Sequence, residues 1–455
     1  MQWQAYLDRE QDRFVGELIE LVKIPSISAK PEHAADVVAA GQWVANKLQA
    51  IGIENVALMP TAGHPVVYGD WLHAPEGSPT VMIYGHFDVQ PAEPMDLWTK
   101  PPFEPEIRDG LLYGRGASDD KGGMMVPIVA VEALLATTGR LPVNVKFFFE
   151  GQEEIASPDL PPFVEENRER LAADMIFSAD GLQWDADTPQ LILGLKGIVS
   201  LEITVTGPDA DQHSGLRGAG IANPAMGLAQ VLATMKSPDG RVTVEGFYDD
   251  VEPLTDEDRQ AIARVPFDEA TFLAETGAPA AVGEPGFSTL ERLWARPTLD
   301  VNGLTSGWQG AGTKTIVPAV ASAKITCRLV ADQSPERIFD LIRDHVERVL
   351  PEGLRAEVNK LPGRGDPLLV PHGHNATAVA AAVLEEVYGK TPYQTRVGGS
   401  IPVMNTLLEV LGVHPVMFGF QHGDEKMHSP NEFFRLSAFR RGQTAYARLL
   451  ESLAV

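Results

Sequence analysis

The sequence predicts an α/β fold built on a mixed, largely parallel sheet, with a smaller α+β domain inserted into it. From about residue 10 to residue 195, and again from about Pro371, short apolar runs alternate with helical patterns. This alternation is typical of βαβ units around a buried parallel sheet. Between these two stretches, apolar residues alternate with polar ones instead, as they do in strands with one exposed face.

The parallel-sheet part is predicted from apolar runs that are too short for helices and from the helical stretches between them. The predicted strands are Val81–Gly85, Val143–Phe149, Met175–Ser178 and Pro415–Phe420. The predicted helices are an amphipathic helix within Met1–Ser28, then Gly122–Thr137, Asn375–Tyr388 and Pro402–Leu411. Asn375 is expected to cap its Ala-rich helix, because its side chain can accept a hydrogen bond from a free backbone N–H.

The inserted part follows a β-α…β-α order. Its predicted strands and helices are Val199–Thr206, Asn223–Met235, Ser322–Val330 and Pro335–Leu350, the last capped by Ser334. Two segments rich in Gly or Pro, Gly194–Gly197 and Leu361–Pro371, are candidate hinges. The predicted domains are residues 1–195 with 366–455, and residues 196–365 inserted between them, while the stretch from about 250 to 300 carries no assignment.

Charge and cysteine content exclude several classes of protein. The formal net charge is −25 over 455 residues. Nucleic acids and anionic membranes carry phosphate, so neither is an expected partner of such a surface. The single cysteine, Cys327, allows no internal disulfide, which is typical of a reducing compartment. We see neither a signal peptide nor a run of about 20 apolar residues, so a cytoplasmic protein is expected.

Histidines and acids follow the predicted strands, either directly or shortly after the strands end. These residues are His86, Asp88, Glu153, Glu154, Asp180 and His428. Asp119 and Asp120 stand in a Gly-rich loop that leads into a predicted helix. Each motif alone could be a helix cap, a solvated loop or a structural histidine. Ligand crevices of open α/β sheets lie at the carboxyl ends of the strands, so together these residues are expected to converge.

Such convergence would concentrate negative charge in one place. Without cations, most of the carboxylates would have to take up protons or move apart. Two divalent ions ~3.5–4 Å apart would offset the repulsion, and they need one bridging ligand, for which Asp119 on its tightly specified loop is suited. Imidazole and carboxylate ligands without a thiolate favour zinc or manganese.

These motifs resemble those of the M20 metallopeptidase family, the group that contains carnosinase-type and bacterial dipeptidases. The run His86-Phe87-Asp88-Val89-Gln90-Pro91 is similar to the first family signature, and Gly114–Gly122 is similar to the second in its dipeptidase form. Glu153-Glu154, Asp180 and His428 follow in the family's order. The resemblance covers most of the chain. It implies a zinc-peptidase-like catalytic domain and an inserted domain that serves as a lid and dimerisation domain.

The resemblance also implies residue roles around two divalent ions per subunit, with zinc foremost and manganese or cobalt as alternatives. The implied ligands are His86 and Asp180 for one ion, Glu154 and His428 for the other, and Asp119 as the bridge. Asp88 would orient His86, and Glu153 would be the general base and acid. A cis peptide bond is implied between Asp119 and Asp120.

Three further residues match positions of the family's lid, and Ser400 is a fourth candidate for substrate binding. His213 would reach the active site of the partner subunit in a homodimer formed through the inserted domain. Thr315 and Arg328 match lid positions that contact substrate. Ser400 precedes a predicted helix, whose free N–H groups can receive a carboxylate.

The predicted reaction is hydrolysis of the amide bond of dipeptides or short peptides with a free C-terminus. A deacylase of N-acyl amino acids, of the acetylornithine or succinyl-diaminopimelate type, is an alternative within the same fold. A non-catalytic binding protein would be expected to lack one of the metal ligands or Glu153, but all of the expected ligands and Glu153 are present. A metal-free glycosidase with a carboxylate pair would not need His86 and His428.

Overall fold

The computed structural model describes residues 1–399 and 401–454. Within them the strands are β1 Glu54–Met59, β2 Val66–Trp71, β3 Thr80–His86, β4 Glu106–Arg108, β5 Leu111–Tyr113, β6 Asn144–Glu150, β7 Met175–Ser178, β8 Leu182–Gln183, β9 Gln190–Leu195, β10 Gly197–Thr206, β11 Gln212–His213, β12 Thr298–Ser306, β13 Ile316–Val317, β14 Val320–Leu329, β15 Arg355–Lys360, β16 Leu368–Leu369, β17 Tyr393–Val397, β18 Pro415–Met417, β19 Gln421–His422 and β20 Phe433–Arg435. The α-helices are α1 Gln2–Val22, α2 Ala34–Ala50, α3 Lys121–Thr138, α4 Leu160–Glu166, α5 Arg168–Leu171, α6 Ser214–Arg217, α7 Pro224–Ala233, α8 Asp256–Arg264, α9 Glu269–Thr276, α10 Thr289–Ala295, α11 Pro335–Val349, α12 Asn375–Tyr388, α13 Pro402–Leu411 and α14 Leu436–Ser452. The chain divides into two compact units: unit 1 is Met1–Leu193, Val370–Gln394 and Pro402–Val455, and unit 2 is Gly194–Leu369 and Thr395–Ile401.

Unit 1 is built on a six-stranded sheet in the order β1-β2-β6-β3-β7-β18. The pairs β6–β3, β3–β7 and β7–β18 are parallel, whereas β1 and β2 add antiparallel pairs at one edge. Strands β3 and β6 are buried over almost their whole length, as expected for parallel strands with covered faces. The predicted α/β class with a mixed, largely parallel sheet is confirmed.

Helix α3 runs through the core of unit 1 directly after the Asp119–Asp120 loop. Every residue from Lys121 to Leu134 is buried, and the helix packs against α1 and α14. By length and composition alone it could cross a membrane, but 78% of it is buried inside the protein. A helix that is apolar on all sides is expected in such a core.

Unit 2 contains a four-stranded antiparallel sheet in the order β12-β14-β10-β15. Strands β10 and β14 bury alternate residues against α7 and α11, as a period of two requires. The side chain of Ser334 caps α11 by accepting the N–H of Arg337, as predicted. The smaller α+β part of the predicted fold class is confirmed.

Three details differ from the sequence prediction. The unassigned stretch from about 250 to 300 forms α8, α9 and α10, and both α8 and α10 begin with a capping box, Thr255 with Asp258 and Ser288 with Glu291. Asn375 is the first residue of α12 and not its cap. The cap position is occupied by His374, whose side chain makes no capping hydrogen bond. The strand predicted to reach Phe420 ends earlier, with β18.

Candidate active site

Two groups of possible ligand atoms meet in unit 1, and they share one residue. His86, Asp119 and Asp180 each offer an atom within 4.8 Å of the others, and Asp119, Glu154 and His428 do the same. His86 Nε2 lies 3.1 Å from Asp119 Oδ1, and His428 Nε2 lies 2.9 Å from Asp119 Oδ2. The two oxygens of Asp119 therefore face opposite halves of the cluster.

The parallel strands explain why residues so far apart in sequence meet. His86 is the last residue of β3, Asp180 comes shortly after β7, and a short 3-10 helix, Glu153–Ile155, follows β6. These strands are parallel neighbours, so their carboxyl ends lie along one edge of the sheet. His428 lies on a loop after β19, with a backbone φ of +60°, which few residues other than glycine adopt.

The loop before α3 carries Asp119 and Asp120, and their peptide bond is cis, as the family resemblance implied. Asp120 is buried and takes no place among the ligand atoms. Its Oδ2 accepts the N–H of His86 at 3.2 Å, and its Oδ1 accepts Gln421 Nε2 at 2.7 Å. Asp120 thus connects the loop to the end of β3, a function that the sequence analysis did not assign.

Asp88 makes more contacts than the sequence analysis assigned to it. His86 Nδ1 lies 3.2 Å from the Asp88 carbonyl oxygen and 3.4 Å from its Oδ1. The carboxylate also accepts two backbone N–H groups, those of Glu153 and Glu154, both at 3.1 Å. Asp88 therefore faces the imidazole and also holds the turn that presents both glutamates.

Gln90 is a site residue that the sequence analysis missed. Its backbone N–H donates to Glu154 Oε1 at 3.1 Å, and its Nε2 donates to Glu154 Oε2 at 2.9 Å. These bonds orient the Glu154 carboxylate. The available signal was position, because Gln90 follows Asp88 by two residues and an extended chain places such residues on one side.

Burial and mutual repulsion change the protonation of the acids. Burial raises the pKa of Glu154 to about 7 and that of Asp180 to about 6, and the negative charge of Asp119 adds to both shifts. Burial also raises the pKa of Glu153 well above its ordinary value. Ionised carboxylates at this spacing are unfavourable unless positive charge lies among them.

Within the protein, the imidazoles of His86 and His428 supply that positive charge when they are protonated. Hydrogen bonds to Asp119 and Glu154 raise the pKa of His428 to about 10. Burial lowers the pKa of His86, but hydrogen bonds to Asp119 and Asp88 outweigh it and leave the pKa well above its ordinary range. Divalent cations compete with protons for such groups, since metal ligation requires neutral imidazole and ionised carboxylate.

The donor set therefore fits a pair of divalent cations. It consists of imidazole nitrogen and carboxylate oxygen without a thiolate, which suits zinc or manganese. Asp119 belongs to both groups, as the bridging ligand of a two-metal site must. All five residues predicted to be ligands are brought together in this one place.

His213 and Thr315 lie together in unit 2, and both are exposed. His213 pairs with Ile316 in the short β11–β13 ladder, and the N–H of Ser214 donates to the carbonyl oxygen of Thr315 at 3.0 Å. His213 Nδ1 accepts the N–H of Gly215 at 3.1 Å. In a neutral ring that bond leaves the proton on Nε2, which is then free to donate.

Arg328 lies near the end of β14 in unit 2, opposite Ile198 on β10. It is half-buried, and no acidic side chain forms an ion pair with it in the part of the chain that the structure describes. Burial, together with the positive charge of Arg328, lowers the pKa of the neighbouring Lys196 to about 8. Ser400, the fourth predicted substrate-binding residue, lies outside the described residues.

Known proteins resemble this chain over nearly its whole length. The sequence profile of "Peptidase family M20/M25/M40" matches residues 82–452. The Cys-Gly metallodipeptidase of Schizosaccharomyces pombe is 31% identical over 464 residues, which cover 98% of this chain and 97% of that protein. The Beta-Ala-His dipeptidase of Homo sapiens is 30% identical over 467 residues, covering 99% of this chain and 92% of that protein.

A solved structure agrees with these sequence matches. The crystal structure of an M20 family metallo-carboxypeptidase from Sulfolobus solfataricus superimposes with a TM-score of 0.81 at 31% identity, covering 97% of this chain and 99% of that one. The predicted family and the predicted enzyme class, a metallopeptidase, are confirmed. The chain belongs to the peptidase family M20/M25/M40.

Proposed function

We propose that this protein is a two-metal hydrolase that cleaves the amide bond of dipeptides and other short peptides with a free C-terminus. The observation that carries the proposal is the position of Asp119 in both groups of ligand atoms. Two donor groups joined by one carboxylate are what hydrolysis with two metal ions requires. The names of two relatives, a Cys-Gly metallodipeptidase and a Beta-Ala-His dipeptidase, support the substrate class.

The ligand assignment follows the two groups. His86 and Asp180 would hold one ion, Glu154 and His428 would hold the other, and Asp119 would be shared. Zinc is the first candidate, with manganese or cobalt next, because the ligands are nitrogen and oxygen atoms. When bound, such ions polarise the scissile carbonyl group and lower the pKa of water toward ~7.

Glu153 is proposed as the group that moves the proton. It is partly accessible, and its backbone is held by the carboxylate of Asp88. In the reaction, one oxygen of Glu153 takes a proton from the attacking water and then delivers it to the leaving amine. A carboxyl group whose pKa is raised by burial is suited to work in both directions.

Unit 2 is proposed to supply the groups that recognise the substrate. The free Nε2–H of His213 would donate to the oxyanion. Arg328 would bind the substrate carboxylate as a guanidinium fork, with Thr315 and Ser400 as further contacts.

We also propose a homodimer formed through unit 2, in which His213 serves the partner's active site. The edge strand β12 supports this arrangement, since it exposes Val301 and Leu304, and Trp308 follows it. An edge strand with exposed apolar side chains favours association. The cytoplasm is the proposed location, on the basis of the single cysteine, Cys327.

A panel of substrates tests the function against its main rival. The purified protein is assayed on dipeptides, on the same dipeptides with amidated C-termini, and on acetylornithine and succinyl-diaminopimelate. We expect dipeptides with a free C-terminus to be cleaved and the N-acyl amino acids to be poor substrates. Preferential cleavage of the N-acyl amino acids would establish the deacylase instead.

Metal removal tests whether cleavage depends on the proposed divalent ions. Dialysis against a chelator is expected to abolish dipeptide cleavage, and addition of zinc, manganese or cobalt to restore it. The metal that restores the highest kcat/KM identifies the best cofactor. Full activity in protein shown to contain no metal would contradict the two-metal mechanism.

A further inference from the structure

Glu432 is a buried carboxylate beside the candidate metal site that contributes no ligand atom to it. Its Oε1 accepts the backbone N–H groups of Ser118 at 3.0 Å and Asp119 at 3.1 Å. Its Oε2 accepts the N–H of Gly116 at 3.0 Å and Arg115 Nη1 at 2.7 Å. Each oxygen therefore takes two donors, all from the loop that ends in Asp119.

Strand pairing delivers Glu432 to this loop. Strand β20 pairs with β5, which sets Phe433 opposite Tyr113, and the N–H of Gly114 then donates to the carbonyl oxygen of Glu432 at 3.0 Å.

Gly122 lets the start of α3 pack closely against this loop. A Cβ at Gly122 would lie 2.2 Å from the carbonyl oxygen of Ala117, so no larger residue fits without movement.

Backbone N–H groups that converge on one point form a concavity that binds anions. In this loop the anion is supplied by the chain itself, and the Arg115 guanidinium makes the contact charge-assisted. With its N–H held by Glu432, Asp119 directs its carboxylate away toward His86 and His428. Glu432 also follows His428 by four residues, so one short segment contacts Asp119 twice, at its carboxylate through His428 and at its backbone N–H through Glu432.

We propose that Glu432 is a positioning residue that couples the bridging Asp119 to His428 and thereby preorganises the site for two divalent ions. This inference rests on the proposed two-metal site, and it adds a residue that is neither a ligand nor a catalytic group. Residues that orient metal ligands typically contribute 10–100-fold to metal affinity. Loss of the Glu432 carboxylate is therefore expected to loosen the bridging Asp119. The affinity for the ion that binds second should fall most.

The direct test is Glu432→Gln in the full-length protein. Glutamine keeps the size, but its NH2 group cannot accept the N–H groups that one carboxylate oxygen accepts. Metal-stripped protein is titrated with zinc and with manganese by calorimetry, and the bound ions are counted by elemental analysis. We expect the unmodified protein to bind two ions. In the variant, the ion that binds second should bind at least ~10-fold more weakly.

Glu132→Gln is the matched control. Glu132 is also a buried carboxylate of unit 1, and it pairs with Arg13 and Lys47 among the helices α1, α2 and α3. Its replacement is expected to lower the melting temperature without changing either metal affinity. A purely structural role for Glu432 would make the two variants alike, with a lower melting temperature and unchanged metal binding, and that result would overturn the inference.

A second variant covers the case in which Glu432→Gln does not fold. Arg115→Met removes the charged donor and leaves the three backbone bonds to Glu432, so a smaller loss of second-ion affinity is expected, about threefold to tenfold. Unchanged affinity in this variant would then overturn the inference. Two bound ions without cleavage of any dipeptide would contradict the proposed function alone, because the metal titration judges Glu432 independently of activity.

Discussion

The two units hold their candidate functional residues in opposite ways. In unit 1 the side chains are packed into a network: Asp88 holds the turn of Glu153 and Glu154, and Gln90 orients Glu154. In unit 2, His213 and Thr315 are exposed and are positioned mainly through the backbone of a two-residue ladder.

Burial and exposure lead to different consequences when a residue is changed. A buried polar network is rigid and depends on every member, so a change in unit 1 is expected to affect metal binding or proton transfer. Exposed side chains contribute little to stability, so a change in unit 2 is expected to affect catalysis or substrate binding while the fold remains unchanged.

Glu153→Gln is expected to have the largest effect. It preserves the shape of the side chain but removes the group that carries the proton, so kcat should fall by about 10²–10⁴-fold. Metal content should remain at the unmodified level, because Glu153 is in neither group of ligand atoms. Steady-state kinetics and elemental analysis measure both quantities. Turnover within about tenfold of the unmodified enzyme would refute the assigned role.

His213→Ala is expected to lower kcat by about 10²–10³-fold, the usual effect of losing one donor to an oxyanion. Since the side chain is exposed and caps only the one-turn helix α6, the free energy of unfolding should fall by no more than about 1 kcal/mol, and metal content should not change. A mixed dimer with Glu153→Gln should regain activity, because one of its two sites would then have both residues. If the mixed dimer forms and stays inactive, His213 does not act across the dimer.

Arg328→Met is expected to raise KM for a dipeptide about 10–100-fold with a smaller change in kcat, because a hydrogen bond to a charged group contributes about 1.5–3 kcal/mol. The preference for a free C-terminus over an amidated one should shrink in parallel. Arg343→Met is the control, since Arg343 is a partly exposed residue of α11 that pairs with Asp340 and Asp344. An unchanged preference in Arg328→Met would remove Arg328 from carboxylate recognition.

Residues whose own chemistry forms the site were predictable, and so was Asp88 beside His86, but the more distant residues that hold the site were not. Acids and histidines close after predicted strands, and the aspartates of the Gly-rich loop, could be named from their type and position, and the structure brings the five expected ligands together. Glu432 acts on the backbone N–H of Asp119, a partner 313 residues away. No local pattern in the sequence reports such a pairing, because the N–H groups are common to every loop. Gln421 escaped prediction for the same reason, since its bond to Asp120 depends on distant segments meeting.

The residue types in the chain establish which atoms are available: two imidazoles and a surplus of carboxylates, most of them directly or shortly after an apolar run and Asp119 in a Gly-rich loop. The directions of these side chains are set by the tertiary structure, in which one oxygen of Asp119 faces His86 and the other faces His428. The physical reason is that side-chain direction depends on the neighbours β6, β3 and β7 and on the β5–β20 pairing. These contacts join residues that are distant along the chain, so only the folded protein sets their geometry.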